Sequence, residues 1–388
     1  MANLFEHWSA TKEALTDGLT GNKKVVMESV LENTRRNLTE SATAGATMAG
    51  NIATLNKVIL PVIRRVMPTV IANELIGVQP MTGPVGQIHT LRVRYAESAA
   101  GVTAGQEALS PFAIANGYSG NGASFPNGKP SSTSTLEGQV GRKLNIQIVK
   151  QTVEAKSRKL SARWTFESAQ DAQAMHGIDV EAEIMAALAQ EITTEIDQEI
   201  LASLSSLAGG SAYTFDQGAV SGTATFVGDE HAALAVIINK AANDIAARTR
   251  RGAGNWIVVS PSILTVLQSA TTSAFARTTE GAFEAPTNTK LVGTLNNTMK
   301  VYVNQYATND DILVGYKGQS ESDAAAFYCP YVPLMSTGTV LDPNTLEPVV
   351  GFMTRYGYVE LSNSASSLGN AADYLNKIEV TTANLSFS

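Results

Sequence analysis

The chain has 388 residues and a mass of 40.9 kDa, enough for two or three lobes at roughly 150 residues per domain. Hydrophobic residues make up 44% and charged ones 16%, and no long uncharged apolar run is present, which excludes intrinsic disorder and predicts no membrane span. The net charge of −7 argues against a general electrostatic grip on nucleic acid, and a single cysteine, Cys329, excludes an intrachain disulfide framework.

The first eight residues lack the basic start and apolar run of a signal peptide, so no export by that route is expected. Residues 1–50 are helix-permissive and end in the small-residue tract 41–50, which reads as an arm with a flexible joint. Between Lys57 and Ile76 the apolar residues Ile59, Ile63, Val66, Val70 and Ile71 recur at helical spacing, and Pro61 and Pro68 limit them to one or two short helices. After the turn at Gly83–Gly86, Leu91, Val93 and Tyr95 alternate with Arg92 and Arg94, the period of a half-buried strand.

Residues 96–140 are rich in Gly, Ser, Asn and Pro and predict a loop without a packed helix. Leu144, Ile146 and Ile148 then alternate with Asn145 and Gln147, so a second strand returns beside the first as an extended hairpin. A loop this long at the far end of a hairpin points to a binding element, a reaching arm. The clearest helix spans about 179–207, with Ile184, Leu188, Ile192, Ile196, Ile200 and Leu204 at four-residue spacing. Asp179 is its expected cap, Glu181 and Glu183 complement its dipole, and Gly209 and Gly210 stop it. Because four residues overshoot one turn by about 40°, the stripe creeps around the helix and buries different faces along its length.

A Gly/Ser/Thr-rich link, 211–230, precedes a second helix from His231 to about Arg251, where a separate mixed α and β lobe begins. In it Trp256–Val259 reads as a buried strand, Ser260 as a helix cap and Pro261 as the first helical residue. Residues 301–303 and 311–314 supply further strands. Ala326–Met335 and Pro348–Leu361 form a long hairpin around the turn at Asp342, Pro343 and Asn344, rejoining the first lobe. The fold class is α+β.

Motifs for chemistry are weak. The histidines His7, His89, His176 and His231 lie far apart in sequence, outside any metal-ligand spacing, so no metal or cofactor is expected. The stretch Gly122–Lys129 has one residue too many for a phosphate loop, and Pro130 replaces its hydroxyl. A hydrolase using Ser119 or Cys329 is the remote alternative, since neither residue has a base nearby in sequence.

Charge distribution is more informative. From Arg142 to Arg163 seven basic residues (Arg142, Lys143, Lys150, Lys156, Arg158, Lys159 and Arg163) face one acid, Glu154. From Trp164 to Asn239 there is no Lys or Arg, while the long helix carries Glu181, Glu183, Glu191, Glu195, Asp197 and Glu199. A basic ribbon beside an acidic rod leaves three readings: two solvated faces, a nucleic-acid groove, or head-to-tail contact between copies, the geometry that builds rings and lattices. The expectation is self-assembly, with the basic set on one subunit and the acidic set on the next, their charges setting register and orientation.

Several segments resemble T4-type tailed-phage major capsid proteins: Val62–Ile88, Val153–Leu160, Ala169–Gly177 leading into the long helix, Val314–Gly318, Tyr328–Val332 and Pro348–Gly357. The resemblance spans about 57–360 and implies the HK97-type capsid fold. Its expected parts are an N-terminal arm at 1–56, an extended loop at 88–160 and an axial domain at 231–315. The peripheral domain is built from 57–87, 161–230 and 316–388 and contains the spine helix 179–207. In that family the extended loop lies over the peripheral domain of the neighbouring subunit.

The implied function is a non-enzymatic shell subunit, forming hexamers, with pentamers of the same chain left open, in an icosahedral capsid around double-stranded DNA held without sequence-specific contacts. A vertex subunit and an encapsulin-like compartment shell are the alternatives. Scaffold, portal and decoration proteins are the implied partners, with assembly in the host bacterial cytoplasm and final residence in the virion, away from membranes. The family's maturation protease cuts after Leu/Ile-x-Glu, which Leu38-Thr39-Glu40 matches. The arm is expected to be retained and to pair with neighbours, and cleavage after Glu40 is the alternative. The 96–140 stretch is expected to be a loop tip where T4-type proteins carry an inserted subdomain.

Overall fold

The computed structural model describes residues 8–17, 19, 21–43, 70–106, 108, 117–124, 126–176, 179–208, 213–217, 227–249, 251–269, 275–277, 290–319, 323–336, 338–345, 347–361 and 370–381. The chain begins with helices α1 (Trp8–Thr16) and α2 (Asn22–Thr43), then α3 (Ala72–Leu75), β1 (Gly77–Val78) and β2 (Val85–Tyr95). After the tip helix α4 (Thr133–Leu136) come β3 (Leu144–Glu154), β4 (Lys156–Arg163), α5 (Phe166–His176) and the long α6 (Val180–Ala208). The next stretch holds β5 (Tyr213–Phe215), α7 (Val227–Thr249), β6 (Trp256–Val259), α8 (Pro261–Ser269), β7 (Phe275–Arg277), β8 (Lys290–Leu295), β9 (Met299–Val303) and β10 (Ile312–Gly315). The last elements are β11 (Ala326–Ser336), β12 (Val340–Leu341), β13 (Pro348–Glu360), a 3₁₀ turn at Ala371–Tyr374 and β14 (Leu375–Val380). The mixture of helices with two larger sheets is the expected α+β class.

Two compact units result: residues 1–86, 153–201 and 327–359 form one, and 87–152, 202–326 and 360–388 the other. In the first, β1, β11, β13 and β12 lie in that order, and β4 pairs antiparallel with β13 from Val349↔Arg163 to Tyr356↔Lys156. The extended strands β11 and β13 are the predicted C-terminal hairpin. Residues 156–160, expected in the extended loop, instead belong to this sheet, because β4 leaves the hairpin at Ala155 and presents a full backbone ladder to β13.

The long helix buries two adjacent rows at four-residue spacing. One is the predicted row Leu188, Ile192, Ile196, Ile200 and Leu204, and the other is Met185, Ala189, Thr193, Asp197 and Leu201. Two rows are needed because the predicted creep of the stripe brings the second inward. Asp179 Oδ1 accepts the Glu181 backbone N–H at 3.1 Å, the cap the sequence predicts.

N-terminal to this, α2 buries Val26, Met27, Val30 and Leu31. It is tied down by Asn33 Nδ2, which donates to the carbonyls of Met81 (2.9 Å) and Tyr331 (3.0 Å), and by the Lys23–Glu74 ion pair at 2.5 Å. Of the predicted helical stretch 59–76, residues 59–69 lie outside the described residues, as do residues 44–50 of the joint predicted at 41–50, whose first three residues instead close α2.

In the second unit seven strands run in the order β5-β14-β10-β6-β9-β8-β7. Helices α7 and α8 supply Leu234, Ile238, Ala241, Ile245, Ile263 and Val266 to its core against Ile257, Val301, Val314 and Ile378. Ser260 caps α8 through its carbonyl and hydroxyl as predicted, accepting from Leu264 N–H at 3.0 Å and Ile263 N–H at 3.4 Å. Residues 213–215 and 375–380, which the resemblance assigned to the peripheral domain, pair in this sheet. An ion pair of 2.7 Å between Lys377 and Asp311 helps align β14 beside β10.

Candidate functional site

The hairpin of β2 and β3 forms its own two-stranded sheet. Beyond it, the stretch read as a plain loop tip has a small core of Tyr95, Ala100, Val102, Ala108 and Tyr118. Tyr118 is the hub: its hydroxyl donates to the Lys143 carbonyl at 2.7 Å and accepts the Glu97 N–H at 3.3 Å, while its ring lies 4.6 Å from that of Tyr95. Arg142 Nη1 donates to the carbonyls of Tyr118 (2.7 Å), Gly120 (3.2 Å) and Gly117 (3.4 Å). Gly122 has φ +75°, and a Cβ there would meet the Arg142 guanidinium at 2.5 Å, so glycine serves both the backbone conformation and the close approach.

Along β3, alternate positions project Leu144, Ile146 and Ile148 from one face, and they are 53%, 70% and 66% exposed. The period-2 pattern is therefore present without burial inside the chain. Lys143 and Lys150 flank this apolar row and are exposed, as are Lys156, Lys159 and Arg163 on β4 and its end. Arg163 approaches Glu347 at 3.6 Å. Helix α5, which also has no buried residue, exposes Phe166 and Met175.

Several of the charged residues expected at the contact between copies have surroundings within their own chain. Arg142 is held by carbonyls of its own tip, because a planar fork of donors suits a turn that directs several C=O groups inward. Arg158 makes ion pairs within the chain, to Glu195 at 2.7 Å and Glu199 at 2.5 Å. Strand β4 joins the sheet instead of remaining in the hairpin, which brings this part of the basic ribbon to the acidic helix of the same subunit. Asp197 is 1% exposed, in the second buried row of α6, and cannot offer a charge to a neighbour.

Around Arg158, Tyr356 completes a network that sequence alone does not show. Its hydroxyl donates to Glu199 and accepts from Arg158 Nε. Burial opposes the Arg158 charge, but the hydrogen bonds to Glu199 and Tyr356 outweigh it and hold the guanidinium protonated. Burial likewise pushes Glu199 upward, yet the bonds from Tyr356 and Arg158 bring it below the usual carboxylate range. Of the remaining acids, Glu181 accepts a hydrogen bond from Thr339 at 2.7 Å, and Glu183 and Glu191 stand exposed on α6. Glu40 lies in the last turns of α2.

Chemistry elsewhere is sparse. Cys329 is buried in β11, where burial pushes its thiol up to about 11, so it stays protonated and behaves as a small apolar residue. Ser119 is exposed in the turn at 117–120. Among the described residues no group of three or more His, Cys, Asp or Glu is placed to hold a metal ion, and no helix is long and apolar enough to cross a membrane.

The family described as "Major capsid protein Gp23" matches residues 52–380. The major capsid protein of Vibrio phage KVP40 is 30% identical over 498 aligned positions, covering 95% of this chain and 96% of that protein. The major capsid protein of Enterobacteria phage T4 is 30% identical with 81% and 76% covered, and that of Salmonella phage ViI 30% with 86% and 82%. Among solved structures, the capsid of Myoviridae phage XM1 aligns with a TM-score of 0.43 at 10% identity, covering 78% of this chain and 88% of that one. The capsid of cyanophage P-SCSP1u aligns with a TM-score of 0.44 at 12% identity, covering 81% and 88%.

Proposed function

This chain belongs to the Gp23 family of tailed-phage major capsid proteins, and from that premise we propose how it closes its lattice: the hairpin of one subunit lies over the peripheral part of the next in an HK97-type arrangement. Assembly into a multimeric shell and residence in the virion follow from the family. The shell is icosahedral, built of hexamers with pentamers from the same chain or a vertex relative, and encloses double-stranded DNA without reading its sequence. Scaffold, portal and decoration proteins act on it, assembly takes place in the host bacterial cytoplasm, and the chain itself catalyses nothing.

The observation that carries this reading is the uncovered row Leu144, Ile146 and Ile148, flanked by Lys143 and Lys150. An apolar row on a strand is favourable only when removed from water, at about 25 cal/mol per Å² buried, and the subunit leaves this row in solvent. Exposed contiguous apolar surface rimmed by charge is the mark of an interaction face. The exposed Lys156, Lys159, Glu183 and Glu191 are the charges available to set its register, with Arg163 partly engaged by Glu347.

The test is a triple variant, Leu144→Ser, Ile146→Ser and Ile148→Ser. Its subunits should melt within about 0.5 kcal/mol of the parent, as surface changes do, while electron microscopy shows no closed shells. Normal yields of closed shells from the variant would refute the contact.

A further inference from the structure

Asp197 has a use that shell contacts do not explain. It is the ionisable member of the buried row Met185, Ala189, Thr193, Asp197 and Leu201. Oδ1 accepts the backbone N–H of Ile71 at 2.9 Å, and Oδ2 is buried and receives no hydrogen bond. Thr193, one turn earlier, directs its hydroxyl to the Ala189 carbonyl at 2.8 Å and so offers Asp197 nothing. One donor for a buried carboxylate leaves most of its lost hydration unreplaced.

Among the described residues, the groups around it supply no cation. From β11, the phenol of Tyr328 faces Asp197, and burial first, then Tyr356 and Asp197, keep its proton on. Cys329, next to it on the same strand, is held neutral by burial. On α6 itself Glu199 bonds Arg158 and Tyr356, so that positive charge is already paired. On the side of α3, Glu74 is paired with Lys23. Burial, acting against the pull of the Ile71 N–H, pushes the Asp197 carboxyl up to about 7.

Ile71 opens the segment that passes through α3 into β1, which is bonded to β11 at Gly77↔Phe327 and held by Asn33 at the Met81 carbonyl. We propose that Asp197 is a proton-operated latch on this segment: neutral, it ties residue 71 to the long helix; ionised, it draws water inward and loosens that tie. Because the folded state favours the neutral acid, the stabilisation is complete below the ordinary aspartate range and is lost as pH rises through neutrality. The junction between the N-terminal helices and β1 is therefore tighter in mildly acidic than in mildly alkaline solution.

Hydrogen exchange on the full chain tests this, read over residues 71–81 and corrected for the intrinsic pH dependence of exchange, in the parent and in Asp197→Asn. The asparagine keeps an acceptor for the Ile71 N–H and cannot ionise. Parent protection should fall about tenfold between about pH 6 and about pH 8, the linkage expected for one proton, and the variant should be flat. A variant that retains the parent's pH dependence would overturn the latch. Should the variant not fold, the parent's own profile decides: a midpoint near neutrality supports the latch, and a flat profile refutes it.

Discussion

Arg158 and Lys159 carry the same formal charge on adjacent positions of β4, opposite Thr354 and Met353, yet strand alternation sends them to opposite faces. Arg158 meets Glu195, Glu199 and the Tyr356 hydroxyl, whereas Lys159 stands in solvent. Hydrogen bonds to charged groups contribute about 1.5–3 kcal/mol where partly buried. Arg158→Ala should therefore lower subunit stability by about 2 kcal/mol in thermal melts, and Lys159→Ala should stay within about 0.5 kcal/mol. Glu199 sits below the ordinary carboxylate range in the folded chain, so its contribution holds above that range and is lost as pH falls through its folded value. The Arg158→Ala penalty should shrink in strong acid, and a penalty unchanged there would show that packing, not charge, is what Arg158 supplies.

At the scale of elements, the hairpin tip and the seven-stranded sheet respond to different changes. Tyr118 holds the tip through its ring and hydroxyl, so Tyr118→Ala should open residues 97–143 to limited proteolysis while leaving the main melting transition in place. In β10 the requirement is space: a Cβ at Gly315 would lie 2.1 Å from Trp256 Cζ2. Gly315→Ala overpacks a rigid indole and should cost about 1–3 kcal/mol. Equal stability would mean that β10 and β6 can separate freely. The tip itself was legible only as a run of turn residues. Its core depends on Tyr95 meeting Tyr118 and on Arg142 returning to Gly117–Gly120, contacts that local pattern does not encode.

For the whole molecule, the N-terminal region bears most directly on assembly. The arm was expected to pair with neighbours, and α2 buries Val26, Met27, Val30 and Leu31 within its own chain while Asn33 grips the Met81 and Tyr331 carbonyls. Cleavage after Glu40 would cut inside α2, so its last turns must unwind to reach a protease in extended form. A fragment cut there should stay attached: native mass spectrometry of the subunit should show residues 1–40 still bound, and denaturing conditions should release them. Loss of the fragment under native conditions would show that those buried residues do not hold it.

Local elements and the chain's chemical character are already written in the order of its residues. Four-residue spacing with Asp179 and Ser260 as caps wrote the helices, alternation wrote the hairpin strands, and charge segregation with a family resemblance pointed to self-assembly. Tertiary structure alone decided which neighbours each strand took and which charges met water. Strand β14 pairs with β10, about 60 residues earlier in the chain, and with β5, about 165 residues earlier, through backbone ladders that leave little side-chain signature. Asp197 looks like its acidic neighbours on paper. It is buried because a helix turn of 3.6 residues carries its row inward as the first row drifts, a rotation that acquires meaning only once a sheet is packed against it.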